Sequence, residues 1–167
     1  MQIDRDVLID ASPDAVWEIL ADRYHEVDAW ASSVAQSSAR DLRSTIPGAP
    51  NGRVCETSLG PVEESIVAFD ANHRLLAYTA HAPKMPFFVR GLRNQWQVLS
   101  AGARRSKVEM RLQADLAFPF NLLMAPMMRR QMGTILTHAV EELKHFAEHG
   151  QPHPRKAEAD REAAQAA

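Results

Sequence analysis

The residues of this chain that could do chemistry begin with a histidine pair near the carboxyl end. His145 and His149 are four positions apart, with Glu141 and Glu142 nearby, so one face of a helix could offer ligands to a metal ion. The same positions form the polar face of the helix that the surrounding residues predict. We therefore expect this face to be solvated, and the sequence predicts no metal site.

Candidates for acid–base or nucleophilic catalysis are scattered. Glu63, Glu64 and His81 could transfer protons if they faced inward. Neighbouring side chains in a regular strand point to opposite faces, so Glu63 and Glu64 do not make a paired-carboxylate site. Cys55 is the only cysteine, which excludes an intrachain disulfide, and a thiol without a neighbouring base most often serves only as packing.

Motifs for well-known reactions are missing from the sequence. It contains no Gly-x-Ser-x-Gly elbow, no phosphate-binding glycine loop and no His-Glu-x-x-His pattern. We therefore assign no catalytic residue, favour a noncatalytic role and expect no cofactor.

Composition and charge limit the classes of protein to which the chain can belong. Its 167 residues favour one domain, and 46% hydrophobic with 24% charged residues is the balance of an ordinary globular protein. A net charge of −2 gives no field that would attract nucleic acid. The charged amino terminus lacks the apolar run of a secretory signal, and no later segment approaches a membrane span. The sequence thus predicts a cytoplasmic protein without nucleic-acid binding or integral membrane association, and it leaves the oligomeric state open.

A long helix near the carboxyl end is the element that must position the others. Between Pro119 and His149 apolar side chains recur at three- and four-residue steps, as in an amphipathic helix. Pro126 lacks an N–H, so it kinks this helix or marks a second start, and Gly150 is a suitable stop. The charged, alanine-rich residues 151–167 are expected to form a disordered tail, which leaves residues 1–150 as a single domain.

The stretches before this helix predict strands and two short helices. Ile3 to Ile9 alternate as a strand, Ser12-Pro13-Asp14 begins a helix that runs to about Arg23, and a helical turn follows from His25 to Trp30. Six further strands are predicted at about Val34–Leu42, Arg53–Leu59, Val62–Phe69, Arg74–Ala80, Arg93–Ser100 and Lys107–Leu116. This α+β order predicts a twisted antiparallel sheet of seven strands that curves around the apolar face of the long C-terminal helix.

Several motifs in this order carry a resemblance to a known family. They are Ile9-Asp10-Ala11-Ser12-Pro13-Asp14-Ala15-Val16-Trp17 with a following Trp30, Gly60-Pro61-Val62-Glu63-Glu64 before Phe69-Asp70, and Arg93-Asn94-Gln95-Trp96. Residues 2–149 resemble the polyketide cyclase/dehydrase and lipid-transport family of the START-like (SRPBCC) superfamily, and the resemblance implies the Bet v 1-like helix-grip fold. That family includes ligand carriers, cyclases and proteins with no assigned ligand, so the resemblance implies no particular reaction.

The implied fold has a cavity between the concave face of the sheet and the long helix. Because side chains two positions apart share a face of a strand, alternation assigns the inward positions. The predicted ligand-binding residues are Leu76, Tyr78, Asn94, Trp96, Val98, Val108, Met110 and Leu112 on strands and Met128, Met132, Ile135 and Leu136 on the helix. Flexible methionines suit an irregular apolar ligand, and the polar side chains among these residues could hydrogen-bond to it. Alternatively the methionines fill the core, and backbone groups or water satisfy the polar side chains.

The segment from Pro83 to Arg90 is apolar for a connection between strands. Met85, Phe87 and Phe88, with Trp30, are predicted to form a portal that opens for a hydrophobic molecule or touches a membrane surface. The alternative is that this segment folds back onto the sheet as part of the core.

Three classes of function are compatible with these residues. The favoured one is binding or transport of a small hydrophobic or amphipathic molecule, such as a lipid, a polyketide or an aromatic compound. The second is a polyketide cyclase- or dehydratase-like enzyme, which needs an inward acid or base such as His81 or Glu64. The third is a protein-interaction module whose cavity is filled by side chains.

Overall fold

The fold is described by a computed structural model that covers residues 1–41 and 43–166. Seven strands lie within these residues: β1 (Gln2–Ile9), β2 (Gln36–Ala39), β3 (Arg53–Thr57), β4 (Gly60–Asp70), β5 (Leu75–His81), β6 (Val89–Gly102) and β7 (Arg105–Leu116). The α-helices are α1 (Pro13–Trp17), α2 (Phe120–Leu123), α3 (Ala125–His149) and α4 (Pro154–Ala166).

The strands form one antiparallel sheet with the order β1-β7-β6-β5-β4-β3-β2. Chain neighbours from β2 to β7 pair as successive hairpins, and β1 returns to pair with β7. Irregularities in the register lie between Ile66 and Ala68, between Val89 and Gly91 and between Ser100 and Gly102. Such irregularities bend strands and increase their twist. The predicted α+β architecture, a seven-stranded curved antiparallel sheet with a long C-terminal helix, is confirmed.

The helical segment after β1 begins as the sequence predicts. Ser12 caps α1, because its Oγ accepts a hydrogen bond from the backbone N–H of Ala15 at 3.3 Å, and Pro13 occupies the first helical position. A wider π-helical turn, Glu18–Asp22, continues the helix, and a 3₁₀ segment, Tyr24–Ala29, follows. This stretch buries Trp17, Leu20, Tyr24 and Trp30 and covers one side of the sheet's concave face.

α3 is the long helix that the sequence predicts, and it crosses the sheet against β1 and β7. Pro126 lies in its first turn, so this proline marks a second helix start after α2. The 25 residues of α3 extend about 37 Å at a rise of about 1.5 Å per residue. Leu136, Val140, Leu143 and Phe146 are buried, and Gly150 ends the helix at a φ of 68°.

The prediction of a disordered tail is wrong for the described residues, because Pro154–Ala166 form α4. Two cationic side chains hold this helix to the rest of the protein. Arg155 donates a hydrogen bond to the carboxylate of Glu142 at 2.9 Å, and the Lys156 ammonium donates to the carbonyl of Val34 at 2.9 Å. Composition predicted disorder because the tail has few apolar residues, but here polar contacts provide the attachment.

Strands β2 and β6 differ most from their predicted boundaries. β2 is shorter than the predicted strand, and Leu42, at which that strand was expected to end, lies outside the described residues. β6 starts at Val89 instead of Arg93, because the apolar residues before Arg93 pair with the end of β7. Ala167, the last residue of the predicted tail, also lies outside the described residues.

Candidate functional site

A cavity of about 230 Å³ lies between the concave face of the sheet, α3 and the helical segment after β1. The sheet contributes inward side chains from β3 to β7, α3 contributes one face, and the helical segment closes the third side. Most of the wall is apolar, and its polar groups are concentrated on β3, β4, β5 and β6. This arrangement follows from alternation on the strands and from the apolar stripe of α3.

Most of the residues that the sequence predicts as ligand-binding lie on the wall of this cavity. These are Leu76, Tyr78, Asn94, Trp96, Met110, Leu112, Met132, Ile135 and Leu136. Val98 and Val108 are not on the wall, because they pair with each other further along the β6–β7 hairpin and are enclosed in the core. Met128 is also absent from the wall, since it lies one helical turn before Met132.

Tyr78 and Asn94 form a polar pair on the wall. They lie opposite each other on β5 and β6, and the Asn94 Nδ2 donates a hydrogen bond to the Tyr78 Oη at 3.3 Å. The Oδ1 of Asn94 is buried and accepts no hydrogen bond from any described residue. A buried acceptor without a donor is uncommon, because its lost hydration is not replaced. Asn94 therefore brings an unused hydrogen-bonding capacity to the edge of the cavity.

Trp96 lies two residues further along β6 and meets a second tryptophan across the cavity. The rings of Trp30 and Trp96 pack edge to face with centroids 6.4 Å apart, and both residues are buried. Trp30, predicted as part of a portal, is thus an interior wall residue.

A buried ion pair on the same wall was not predicted. The Nε of Arg53 lies 2.7 Å from the Oε2 of Glu64, and the Tyr24 Oη donates to the same oxygen at 3.0 Å. Arg53 also donates to the backbone carbonyl of Tyr24, and its guanidinium carbon lies 3.9 Å from the centre of the Tyr24 ring and 5.4 Å from that of Tyr78. The cation is therefore paired with a carboxylate and stacked on two aromatic rings.

This environment shifts the pKa values of the aromatic hydroxyls. Burial raises the pKa of Tyr24 well above its usual value, an effect that Arg53 opposes and Glu64 reinforces. Burial and the charge of Glu64 likewise raise the pKa of Tyr78. Burial, the largest single influence, would lower the pKa of Arg53, but the charge of Glu64 together with Tyr24, Tyr78 and Cys55 outweighs it and raises that pKa. Both phenols therefore stay protonated, and the guanidinium stays charged, at neutral pH.

The register of β3 and β4 contains the signal that could have revealed Arg53. Arg53 pairs with Glu64 and Cys55 pairs with Val62, so these four residues share one face of the two strands. Once Cys55 is taken as buried, alternation places Arg53 inward as well. The sequence suggests an inward Glu64 only as a possible catalytic acid or base. It does not by itself identify Arg53 as the cation that pairs with this buried carboxylate.

The other candidate catalytic residues do not converge on the cavity with Glu64. Glu63 points to the opposite face of β4, as predicted, and lies 3.1 Å from Arg40, while His81 is exposed and does not line the cavity. Cys55 lines the cavity, but burial raises the pKa of its thiol to about 11. Its described hydrogen-bonding neighbour is the Ser37 hydroxyl at 3.7 Å, which is not a general base.

The histidine pair on α3 lies on the polar face, far along the helix from the cavity. The rings of His145 and His149 stack with centroids 4.4 Å apart, and His153 approaches His145 at 5.2 Å. Desolvation and the neighbouring imidazoles lower the pKa of His145. Residues 1–41 and 43–166 contain no group of three or more His, Cys, Asp and Glu side chains arranged to hold a metal ion.

The mouth of the cavity is defined here by Ser58, Leu59 and Ile135. Leu59 and Ile135 line the cavity although they are 45% and 40% exposed, so the wall reaches solvent between the β3–β4 turn and α3. Met85, Phe87 and Phe88 do not line the cavity, so the structure does not place these three predicted portal residues at its mouth. Phe87 and Phe88 pack instead against Phe120, because the β5–β6 connection projects beyond the end of the sheet.

No helix of the described chain combines the length and the apolar character that crossing a membrane requires.

Comparison of the structure with solved structures shows the fold. A START superfamily protein from Mycobacterium smegmatis has a TM-score of 0.68 at 12% identity, over 87% of this chain and 96% of that one. The di-domain ARO/CYC BexL from the BE-7585A biosynthetic pathway has a TM-score of 0.71 at 15% identity, over 87% of this chain and 45% of that one. Norcoclaurine synthase from Thalictrum flavum, in complex with dopamine and hydroxybenzaldehyde, has a TM-score of 0.64 at 13% identity, over 86% and 85% of the two chains.

Identities this low show a common fold and nothing finer, and they confirm the START-like, Bet v 1-like architecture that the motifs imply. No protein with a curated description matches the sequence significantly. The model of one sequence family, described as polyketide cyclase / dehydrase and lipid transport, matches residues 1–148. Since that match covers the strands, α3 as far as Glu148 and every residue of the cavity wall, the chain belongs to the polyketide cyclase/dehydrase and lipid transport family.

Proposed function

We propose that this protein binds a small, mostly apolar molecule with one hydrogen-bonding group in the cavity between the sheet and α3. The observation that carries the proposal is a cavity of about 230 Å³ with apolar walls and a polar cluster on one side. Small-molecule sites have this composition, because apolar contact supplies affinity and a few polar groups supply orientation. Family membership supports a ligand-binding role of this kind.

The size of the cavity limits the ligand. An apolar cavity of about 150 Å³ in another protein accepts benzene. A cavity of about 230 Å³ suits one or two aromatic rings or a short chain. A fatty acid or a four-ring polyketide would need the cavity to widen, for example by movement at the mouth. Norcoclaurine synthase, which shares the fold, holds the single-ring compounds dopamine and hydroxybenzaldehyde, in agreement with this size.

The polar wall suggests how the ligand is oriented. Glu64 already accepts hydrogen bonds from Arg53 and Tyr24, so these three groups hold one another in place and make a rigid wall. Asn94 differs, because its Oδ1 has no donor among the described residues. We expect a ligand hydroxyl to donate to this oxygen while its rings contact Trp96 and α3.

A cyclase- or dehydratase-like reaction is the second candidate, and one observation favours it. Glu64, a candidate base from the sequence, does lie on the cavity wall beside the Tyr24 hydroxyl. Two features of the same wall favour binding over proton transfer. The raised pKa makes Tyr24 a poor acid, and the Arg53 cation pairs with the Glu64 carboxylate that would have to accept a proton. The third candidate, an interaction module with a filled cavity, lacks support because the wall encloses open space.

The test is a pair of titrations with naphthol and naphthalene, which differ by one hydroxyl. Trp30 and Trp96 line the cavity, so their emission should change on binding of either compound, and Trp96→Phe should reduce the change. Asn94→Leu should weaken naphthol binding about fivefold, the equivalent of one hydrogen bond, while naphthalene binding changes little. Absence of binding of both compounds, by fluorescence and by calorimetry, would contradict the proposal. Equal effects of Asn94→Leu on both would contradict the role of Asn94 alone.

A further inference from the structure

The end of the protein at which α3 begins exposes large apolar side chains from three chain segments. We call this surface the apolar tip and define it by Phe87, Phe118, Leu122, Leu123 and Met127. These side chains are 84%, 76%, 68%, 71% and 54% exposed, respectively. Other exposed large hydrophobic residues of the described chain reach 45% at most. Exposure on this scale at neighbouring positions is unusual for a surface that meets only water.

Contacts beneath the apolar tip hold its segments together. The ring of Phe120 packs against Phe87 and Phe88 with centroid distances of 5.2 Å and 5.0 Å. The N–H of Ala117 donates to the carbonyl of Phe88 at 2.8 Å, which joins the end of β7 to the β5–β6 connection. α2 packs against both β7 and α3. The exposed side chains thus stand on an ordered platform.

The chain segments that carry the apolar tip contain almost no polar side chains. Residues 85–89 contain none, and residues 117–128 contain one, Asn121. An interface with another protein normally has about one hydrogen bond per 100–200 Å² of buried surface. The apolar tip has little side-chain capacity for such bonds. Contact with the hydrocarbon layer of a membrane requires no hydrogen bonds.

Charges around the apolar tip have one predominant sign. Segments 83–93 and 115–132 carry the cations Lys84, Arg90, Arg93, Arg129 and Arg130 and one carboxylate, Asp115. None of the five cations forms a salt bridge with a described residue. The chain as a whole has a net charge of −2, so this end is basic although the protein is not. Unpaired cations beside apolar side chains match the phosphates that lie above the hydrocarbon of an anionic bilayer.

We propose that the apolar tip docks the protein on the surface of an anionic lipid membrane. Phe87, Phe118 and the leucines of α2 enter the boundary between head groups and acyl chains, and the flanking arginines and Lys84 contact lipid phosphates. The attachment is peripheral and reversible, because no helix of the described chain spans the bilayer.

The position of the apolar tip also relates it to the mouth of the cavity. A Cβ atom added at Gly60 would lie 4.0 Å from the Lys84 side chain, so the β3–β4 turn and the connection that carries Phe87 are neighbours. Docking would therefore bring the mouth close to the lipid. The closeness of the mouth to the lipid has a function only if the cavity binds a ligand as proposed above. Docking itself rests on the exposed surface alone.

Co-sedimentation with vesicles tests the proposal on the full chain. Vesicles of phosphatidylcholine alone are compared with vesicles that also contain phosphatidylglycerol. We expect at least about tenfold stronger binding to the anionic vesicles, weakened by added salt. Phe87→Ser/Leu123→Ser and Arg129→Gln/Arg130→Gln should each lower this binding about tenfold or more, since one removes apolar contact and the other removes charge.

Matched variants control for changes of hydrophobicity and charge elsewhere. Leu8→Ser/Val67→Ser removes exposed apolar side chains outside the tip, and Arg104→Gln/Arg161→Gln removes exposed cations at other sites. Both should bind anionic vesicles as the unaltered protein does. The proposal is overturned if the unaltered protein does not sediment with anionic vesicles, or if tip and control variants bind equally. It is also overturned if the tip variants instead convert an oligomer to a monomer in sedimentation velocity, because the tip would then be a surface for self-association.

Discussion

Arg53 carries a charge at a position where water cannot solvate it. Arg53 is 6% exposed and Glu64 is 8% exposed. The Glu64 carboxylate accepts hydrogen bonds from the side chains of Arg53 and Tyr24. A buried pair of this kind adds little net stability compared with apolar residues of the same shape, but losing one partner leaves a buried charge without compensation. We therefore regard the pair as the group that fixes the shape of the polar wall.

Arg53→Met should lower the free energy of unfolding by about 3–5 kcal/mol, because Glu64 then remains buried without its cation. Arg53→Met/Glu64→Met should cost less than the single substitution, since no uncompensated charge remains. Urea denaturation of the two variants measures both values. A single substitution that costs less than about 1 kcal/mol would mean that the pair is solvated in solution.

The two tyrosine hydroxyls titrate differently in the folded and the unfolded protein. Tyr24 and Tyr78 are the only tyrosines, and burial raises the pKa of both. Unfolded, both should ionise near their usual pKa of about 10. Below pH about 10 the folded and unfolded chains both keep these protons. Above pH about 10 the unfolded chain loses protons that the folded chain keeps, which stabilises the unfolded state, so the free energy of unfolding falls as the pH rises toward the raised pKa values of the folded protein. The native protein should show no tyrosinate absorbance at a pH at which protein in guanidinium chloride is half ionised. Identical titration curves for the native and denatured protein would contradict the burial of these residues.

Among the secondary-structure elements, α4 differs most from what the sequence predicts. Glu142 is 1% exposed, and it accepts hydrogen bonds from the N–H and hydroxyl of Ser32 as well as from Arg155. α4 therefore completes the hydrogen bonding of a buried carboxylate on α3 and connects it to the chain after the 3₁₀ segment. The attachment uses few apolar contacts, which is why composition did not reveal it.

Truncation after Gly150 should lower the free energy of unfolding by about 1–3 kcal/mol, because Glu142 loses a charged partner and the carbonyl of Val34 loses its donor. Arg155→Met should reproduce part of the loss. Arg161→Met is the matched control, since the described hydrogen bond of Arg161 goes to a carbonyl of its own helix. Thermal and urea melts measure the differences, and a truncated chain as stable as the full one would show that α4 does not pack as described.

The sequence predicts the regular strands and helices better than the side-chain contacts that join them. Alternation in β5, β6 and β7 and the apolar stripe of α3 placed nine of the twelve predicted ligand-binding residues on the cavity wall, because period and burial are directly related in such elements. The Arg53–Glu64 pair was missed because its partners are 11 residues apart and become neighbours only through the register of the β3–β4 hairpin. The portal was misplaced because apolar composition alone does not distinguish a cavity lip from a projecting surface such as that of Phe87.

Three layers of the protein meet around one open space. The sheet curves beneath, α3 crosses above, and the helical segment after β1 closes the remaining side. Side chains of an ordinary core fill such a space at high density. Here about 230 Å³ stays open behind the mouth at Leu59 and Ile135, and this open volume is the feature from which the proposed binding follows.

Substitutions that fill the cavity test whether its open volume binds a ligand. Ala139 lies on α3 with its methyl group at the cavity wall, so Ala139→Phe should occupy much of the volume, whereas Thr134→Phe adds the same ring on the exposed face of α3. Both variants should retain the circular dichroism of the unaltered protein. If the Ala139→Phe variant is too unstable to measure, the Ile135→Trp variant, which adds a ring at the mouth, is used in its place. Calorimetric titration with naphthol should then show at least about tenfold weaker binding for the filled cavity and unchanged binding for Thr134→Phe. Equal affinity of the two variants for naphthol, or no binding by the unaltered protein, would contradict ligand binding in the cavity.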